Sequence, residues 1–292
     1  MAKSKFDLYD HVTNQIITAL EAGTPPWRKP WTGGQRVAFP LRSNGEAYRG
    51  INVLMLWLAA AEHDYSSAHW FTYKQSKELN AQVRKGEKST TVVKYGTIER
   101  ENEKGEERTI PYAKAYRVFN ADQIEGLPEQ YIIQPDAPRD MGTTASPELD
   151  NFIAATGAKL EITDRAEASY NRKTDHIHMP PIATFHSAGG YYETLLHELT
   201  HWTGHKTRLD RFQSFTKRSD YAFEELIAEI GSCMAYARLG LVPSIDQSAA
   251  YIEGWLNALQ DDKRLIFKAA SAAQKAADLI FSTDPRTNRK SA

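Results

Sequence analysis

His197, Glu198 and His201 stand in the order His-Glu-x-x-His within LLHELTHWTGH, residues 195–205. Residues four apart on an α-helix lie one turn above each other on one face, so the two imidazoles can converge on a single metal ion. Glu198 then sits beside the ion without being forced to bind it. Two neutral nitrogens with a carboxylate nearby suit Zn²⁺, with another divalent metal as the alternative and one coordination position left for water. The expected chemistry is hydrolysis: the metal acidifies the water and polarises a scissile carbonyl, while Glu198 takes the water proton and delivers it to the leaving amine. Nine His in 292 residues make the bare pattern a chance event in roughly a few chains per hundred, so its flanks matter. Leu195, Leu196 and Leu199 give the helix an apolar anchoring face, and Gly204 offers an end.

A third ligand must come from elsewhere. His205 cannot join along one straight helix, because it lies about 12 Å from His197 along the axis. The better source is the helix expected over residues 219–240, with Ser219 or Asp220 as cap, Gly240 as end, and Leu226, Ile227, Ile230, Met234 and Leu239 at helical intervals. Glu225 and Glu229 stand four apart on it, a repulsive spacing that a cation or a histidine would relieve. The order of the two motifs resembles the gluzincins, the thermolysin-like zinc peptidases. That resemblance implies Glu225 as third ligand and Glu229 as support for a metal-bound His, with Glu229 as the alternative ligand still open at this point. The longer metzincin pattern fails, since Thr207 stands where its third His would be.

The elements around these motifs are legible in part. ASYNRKTDHIHMPP, residues 168–181, alternates like an exposed strand, from which His176 or His178 faces either solvent or the cleft. Residues 134–148, rich in Pro, Ser, Thr and Gly, read as a linker between a first domain at 1–133 and a second at 149–292. In the first, residues 7–22 form a helix with Leu8, Val12, Ile16 and Leu20 on one side, 50–62 a buried helix, and Thr72 caps a helix ending near Gly86. TTVVKYGTI and YAKAYRVFN form two strands joined by a charged hairpin, completing an α+β module expected to hold its own core. Two amphipathic helices between Ser248 and Phe281 are expected to pack beneath the metal helices.

Composition sets further bounds. An apolar share of 41% with 25% charged residues fits a folded chain, and a net charge of −1 gives no global steering toward any partner. Cys233 is the single cysteine, so intrachain disulfides are excluded. Together with the polar opening MAKSKFDLYDHV and the lack of a membrane-length apolar run, this sets the expectation of a cytoplasmic protein without a membrane partner.

Charge is nevertheless uneven: through residue 100 there are fourteen Lys and Arg against nine Asp and Glu. Trp27, Arg28, Lys29, Trp31, Arg36, Tyr48 and Arg49 mix cations with rings, and Trp70, Phe71, Tyr73, Lys74, Lys77, Arg84, Lys85 and Lys88 repeat the mixture. Exposed rings stack on unpaired bases while Arg and Lys follow phosphates; the plainer alternative is aromatics in the core and cations on a solvated face. WRKPW, YRGINVLML and FTYKQSKELNAQVRKGEKSTTVVKYG are similar to the N-terminal domain of plasmid antirestriction proteins of the ArdC type. YYETLLHELTHWTGHKTRLDR and AAYIEGWLNALQDDKRLIFKAASAAQKAAD are similar to the remainder of that family.

The resemblance implies a fold class of α+β, with an N-terminal DNA-binding domain followed by a mainly helical, zincin-like domain of gluzincin type bearing a small antiparallel sheet. It also implies a bacterial protein that binds single-stranded DNA and shields incoming conjugative plasmid DNA, with a host restriction enzyme or another protein as its protein partner. Two other readings stay open at this point: a general cytosolic zinc peptidase whose first domain recognises protein, and a binding protein whose metal is purely structural.

Overall fold

Asp7 opens the first helix, its carboxylate accepting from the amides of Tyr9 (3.0 Å) and Asp10 (3.2 Å) that a helix start leaves free. The computed structural model describes residues 7–23, 25–27, 39–101, 107–132, 142–213, 218–241 and 249–283. Helix α1 (Leu8–Glu21) buries Val12, Ile16 and Leu20, as their spacing predicts, and Gly23 at φ 82° turns the chain beyond it. Strand β1 (Leu41–Arg42) and helix α2 (Ile51–Glu62) follow, then β2 (His69–Phe71) and α3 (Tyr73–Glu78). Next come β3 (Gln82–Val83), the long hairpin β4 (Thr90–Glu101) and β5 (Glu107–Asn120), and β6 (Ile124–Glu125).

Thr72 and Gln75 cap α3 reciprocally, but this helix stops at Glu78, well short of Gly86. Asn80 enters the left-handed region at φ 57°, and the amide of Ala81 donates back to the Ser76 carbonyl (2.9 Å), closing the helix before the next strand. The first sheet has the order β1-β2-β5-β4, with β1 parallel to β2 and the other pairs antiparallel, while β3 pairs with β6.

The second segment begins with α4 (Pro147–Ala155), capped by Ser146, so the end of the expected linker is already helix; residues 133–141 lie outside the described residues. Strands β7 (Lys159–Ile162), β8 (Ser169–Asn171) and β9 (His176–Met179) precede α5 (Ala188–Trp202). The expected single strand over 168–181 is instead the hairpin β8–β9, because the turn at Asp175 takes φ 56° and the alternation runs only from His176 to Met179. Nor is the sheet antiparallel: β9 is its centre, parallel to β7 and antiparallel to β8. Helices α6 (Arg218–Leu239), α7 (Ala249–Asp261) and α8 (Leu265–Ser282) complete the chain. Ser219 and Asp220 lie inside the first turn of α6 rather than at its cap, whereas Gly240 ends it at φ 70°.

The first segment keeps one small core of its own, formed by Phe71, Ala81, Val83, Ala121, Ile124 and Leu127, but shares its larger one with the C-terminal helices. Val12, Ile16, Leu54, Trp57 and Val93 pack in one cluster with Leu226, Ile230, Trp255, Ile266 and Ala273 from α6, α7 and α8. Helix α2 is the cause: it buries Val53 through Ala60 without a break, so one small sheet cannot cover it and the C-terminal helices cover the rest. The C-terminal pair therefore packs on the metal helices and on the first segment together. Trp27, expected at a nucleic-acid surface, is fully buried with its ring 5.6 Å from Trp255 in an edge-to-face contact. A second core joins Phe152, Ile177, Tyr192, Leu195, Leu199 and Tyr236, gripping α5 between α4, β9 and α6.

Candidate metal centre

Helix α5 starts at Ser187, whose hydroxyl accepts from the Gly190 amide, and its apolar face of Leu195, Leu196 and Leu199 lies in the second core. His197 and His201 thereby leave that core on the opposite side, their ring centroids 4.9 Å apart. Helix α6 lies against them because Gly231 permits close approach; a Cβ there would stand 2.6 Å from Cγ2 of Thr200. Across this contact Glu225 reaches both rings, with Oε2 3.4 Å from Nε2 of His197 and Oε1 3.4 Å from Nε2 of His201.

One ligand atom from each of His197, His201 and Glu225 lies within 4.8 Å of the others, the one such group among the described residues. Tetrahedral ligands each about 2.1 Å from one ion stand roughly 3.4 Å apart, so these carboxylate–imidazole separations fit a shared cation. The donor set of two imidazoles and one carboxylate is of the kind that can hold a divalent metal.

Each histidine turns its other nitrogen to a second acid. Nδ1 of His201 donates to Oε1 of Glu224 at 3.2 Å, and Nδ1 of His197 stands 3.8 Å from Oε2 of Glu229. Glu229 is thus the acid nearest the outer edge of His197, and Glu224, which carries no motif of its own in the sequence, is the one at His201. Glu224 is itself gripped by Arg211, whose Nε donates to Oε2 (3.0 Å) and whose Nη2 donates to Oε1 (2.7 Å). Arg211 also donates to the Thr200 carbonyl and the Thr203 hydroxyl, both at 2.8 Å, tying its loop to α5. Gly204 makes room for that loop, since a Cβ would lie 2.7 Å from the ring of Phe212. The signal in the sequence was faint: Glu224 and Glu225 are consecutive acids in a helix whose following residues are apolar, and Arg211 follows the histidine motif.

The electrostatics follow from burial. Burial alone would depress His201, but Glu224, Glu225 and Glu198 outweigh it and hold its pKa up to about 10. Burial likewise pushes Glu225 upward, yet hydrogen bonds from His197 and His201 hold its carboxyl far below the usual range. Glu224 is held below its ordinary value by His201 and Arg211 against the same burial. Glu198, on α5 between the two histidines, is buried at 8% exposure.

The remaining histidines are elsewhere. Nδ1 of His176 contacts the Thr174 carbonyl, His178 pairs with Glu161 of β7 (3.2 Å), and His205 bonds Thr207. Asp175 and Tyr170 hold Arg208, which donates to the Trp202 carbonyl and fixes the segment after α5 to the β8–β9 hairpin.

Of the residues expected to meet nucleic acid, Trp27, Tyr48, Trp70 and Phe71 are buried, their apolar rings being worth more in the core than at the surface. Arg28, Lys29, Trp31 and Arg36 lie outside the described residues. Arg49 is exposed and paired with Asp278. Tyr73, Lys74 and Lys77 are exposed on α3, with the Lys77 ammonium 5.7 Å from the Tyr73 ring, and Arg84, Lys85 and Lys88 are exposed between β3 and β4. Among the described residues, no helix is long and apolar enough to cross a membrane.

Residues 6–119 match the N-terminal domain of anti-restriction factor ArdC, and residues 147–272 match a zincin-like metallopeptidase family. A DNA primase TraC of Escherichia coli is 36% identical over 308 residues, covering 98% of this chain but 28% of the primase; a second TraC is covered over 20% of its length. The chain thus spans about a quarter of those relatives. The uncharacterized protein y4eC of Sinorhizobium fredii is 40% identical, with 97% of this chain and 94% of y4eC aligned. The metal-free crystal structure of antirestriction ArdC from plasmid R388 superposes with a TM-score of 0.87 at 67% identity, covering 95% of this chain and 98% of that one. Its Mn(II)-bound form gives 0.84 at 66% over the same shares. A likeness this close, sustained end to end and carried by both family segments in order, makes the chain a member of the ArdC family of antirestriction proteins.

Proposed function

We propose that this chain binds single-stranded DNA, protects incoming conjugative plasmid DNA from host restriction enzymes in the bacterial cytoplasm, and carries a zinc peptidase centre. The observation that carries the hydrolytic half is that His197 and His201 both present Nε2 to Glu225 while a further acid stands at each Nδ1. His197, His201 and Glu225 hold the cation, Glu224 and Glu229 orient the imidazoles, and Glu198 is the general base. When bound, the divalent cation supplies Lewis acidity toward a scissile carbonyl and the attacking water. Glu198 accepts the water proton at its carboxylate and returns it to the departing amine nitrogen. A host restriction enzyme or another protein is the peptide substrate.

The exposed cations of α3 and of the β3–β4 turn, together with the Tyr73 ring, support the nucleic-acid half. Elemental analysis of wild type and His197→Ala, each followed by titration with a single-stranded oligonucleotide, tests both halves. The wild type is expected to hold one zinc and to bind strands more weakly as salt rises, while His197→Ala loses the metal. A wild type that takes up no divalent metal removes the peptidase reading, and strand binding indifferent to salt removes the basic contacts.

A further inference from the structure

A cavity of about 1170 Å³ does not belong to the metal centre alone or to either family segment alone. Its walls come from strand β4, from the turn entering α2, and from one edge of α8. Arg42, Arg49, Lys94, Arg264, Lys268 and Lys275 line it, and no Asp or Glu does among the described residues. In a chain with 36 basic and 37 acidic residues, a wall of one sign is a selected feature rather than an average one. Lys94 and Lys275 are exposed and have no ion-pair partner among the described residues. Arg42, Arg49 and Lys268 are paired with Glu46, Asp278 and Asp262, acids that stand off the lining.

Rings interleave with these cations: Tyr95 is 52% exposed and Tyr116 36%, and both face the cavity with Tyr9. Arg264 lies over the Tyr9 ring at 4.9 Å. Arg264, the residue capping α8, and Lys268 and Lys275 within it fall on one face and span about 16 Å along the axis. The walls are pinned to each other. The Gly50 amide donates to Oε1 of Gln274 (3.0 Å), joining the start of α2 to α8, and Asn52 both donates to and accepts from the backbone of Val93, joining α2 to β4. Arg211 also lines the space, but Glu224 and Thr200 occupy its guanidinium, so it acts as wall.

We infer that this cavity is the seat of a single nucleic-acid strand, with phosphates on the α8 cations and Lys94 and with unpaired bases against Tyr95 and Tyr116. The inference rests on the strand-binding reading above and adds to it that helix α8 and the residue capping it, outside the N-terminal family segment, supply Arg264, Lys268 and Lys275, half of the six cations named on the wall. Backbone cations and stackable rings on pinned walls are what a strand held without sequence readout requires.

The test is fluorescence anisotropy of a labelled oligothymidylate with wild type, Lys268→Glu/Lys275→Glu and Lys74→Glu/Lys77→Glu, each over a salt series. The α8 variant is expected to bind about tenfold or more weakly. With two phosphates no longer neutralised, at about 0.7 each, its log–log salt slope should flatten by roughly 1.4. Its melting temperature and metal content stay those of wild type. Ultraviolet cross-linking of a strand carrying 5-iododeoxyuridine is expected to mark Tyr95 or Tyr116. Wild-type affinity and slope in the α8 variant, with loss in the α3 variant, would overturn the cavity as the site while leaving strand binding intact. Absence of strand binding by the wild type would remove both. Should the double reversal lower the melting temperature, Lys275→Gln at an unpaired exposed position takes its place, and an unchanged salt slope there overturns the inference equally.

Discussion

Glu224 meets His201 at Nδ1, 3.2 Å away, on the ring edge opposite the Nε2 that faces Glu225, and Arg211 holds that same carboxylate from behind. The chain Arg211–Glu224–His201 fixes the rotation of the ring and marks Nδ1 as the nitrogen that keeps its proton when Nε2 gives up its own. His197 has the weaker counterpart, since Glu229 stands 3.8 Å from its Nδ1.

Glu224→Gln is therefore expected to lower divalent-metal affinity by about 10- to 100-fold. Competition with a fluorescent chelator measures it, and an affinity equal to wild type would strip Glu224 of its positioning role. Glu229→Gln, acting across the longer distance, is expected to cost less.

Glu198→Gln should retain the metal and lose hydrolysis by at least about 10²-fold, because the neutral amide cannot take a proton from water. Metal stoichiometry and cleavage of an unfolded protein substrate are read on the same preparation. Full cleavage by the variant would assign the base elsewhere.

Without metal, His201 keeps its proton up to a pKa of about 10, against 6.5 for the free side chain. A raised pKa means that the stabilisation from its acidic partners is fully present below pH 6.5 and is lost as pH rises through about 10. Cation binding needs the neutral ring, so metal uptake at about pH 7.5 should release about one proton, and affinity should climb about tenfold per pH unit across that window. Calorimetry in buffers of different ionisation enthalpy counts the proton. Uptake with no proton released would mean that His201 is already neutral.

Gly231→Ala sets two effects against each other. Helix propensity favours alanine by about 1 kcal/mol, whereas the new methyl carbon would lie 2.6 Å from Thr200. Overpacking of this kind costs about 1–3 kcal/mol, so a net loss of stability with weaker metal binding is expected in denaturant titrations. Thr200→Ser removes the clashing methyl and should restore most of both. A stabilised Gly231→Ala would show that α5 and α6 can separate without disturbing the ligands.

Trp27→Ala should lower stability by about 3–5 kcal/mol, because the ring is fully buried against Trp255. Strand affinity of the folded fraction is expected to stay unchanged. Affinity that falls while the melting temperature holds would return Trp27 to a nucleic-acid contact.

Local periodicity was enough for the elements that carry chemistry. The 3.6-residue spacing of α1, the apolar run of α2, the alternation in β4 and β5, and the faces of α5 and α6 could all be read from the sequence, because each depends on neighbours within a few residues. The pairing of His197 with His201 is of this kind, being set by one helical turn. Glu225 as the acid that meets both rings, Glu224 and Arg211 behind His201, and the burial of Trp27 and Trp70 were decided only in three dimensions. Each depends on which helix faces which, at a separation set by Gly231 and Thr200, and on an α2 too apolar for its own sheet to cover. An aromatic residue in a basic stretch carries the same local signal whether it stacks on a base or on a distant tryptophan; burial against the C-terminal helices settles it, and no window of sequence contains that contact.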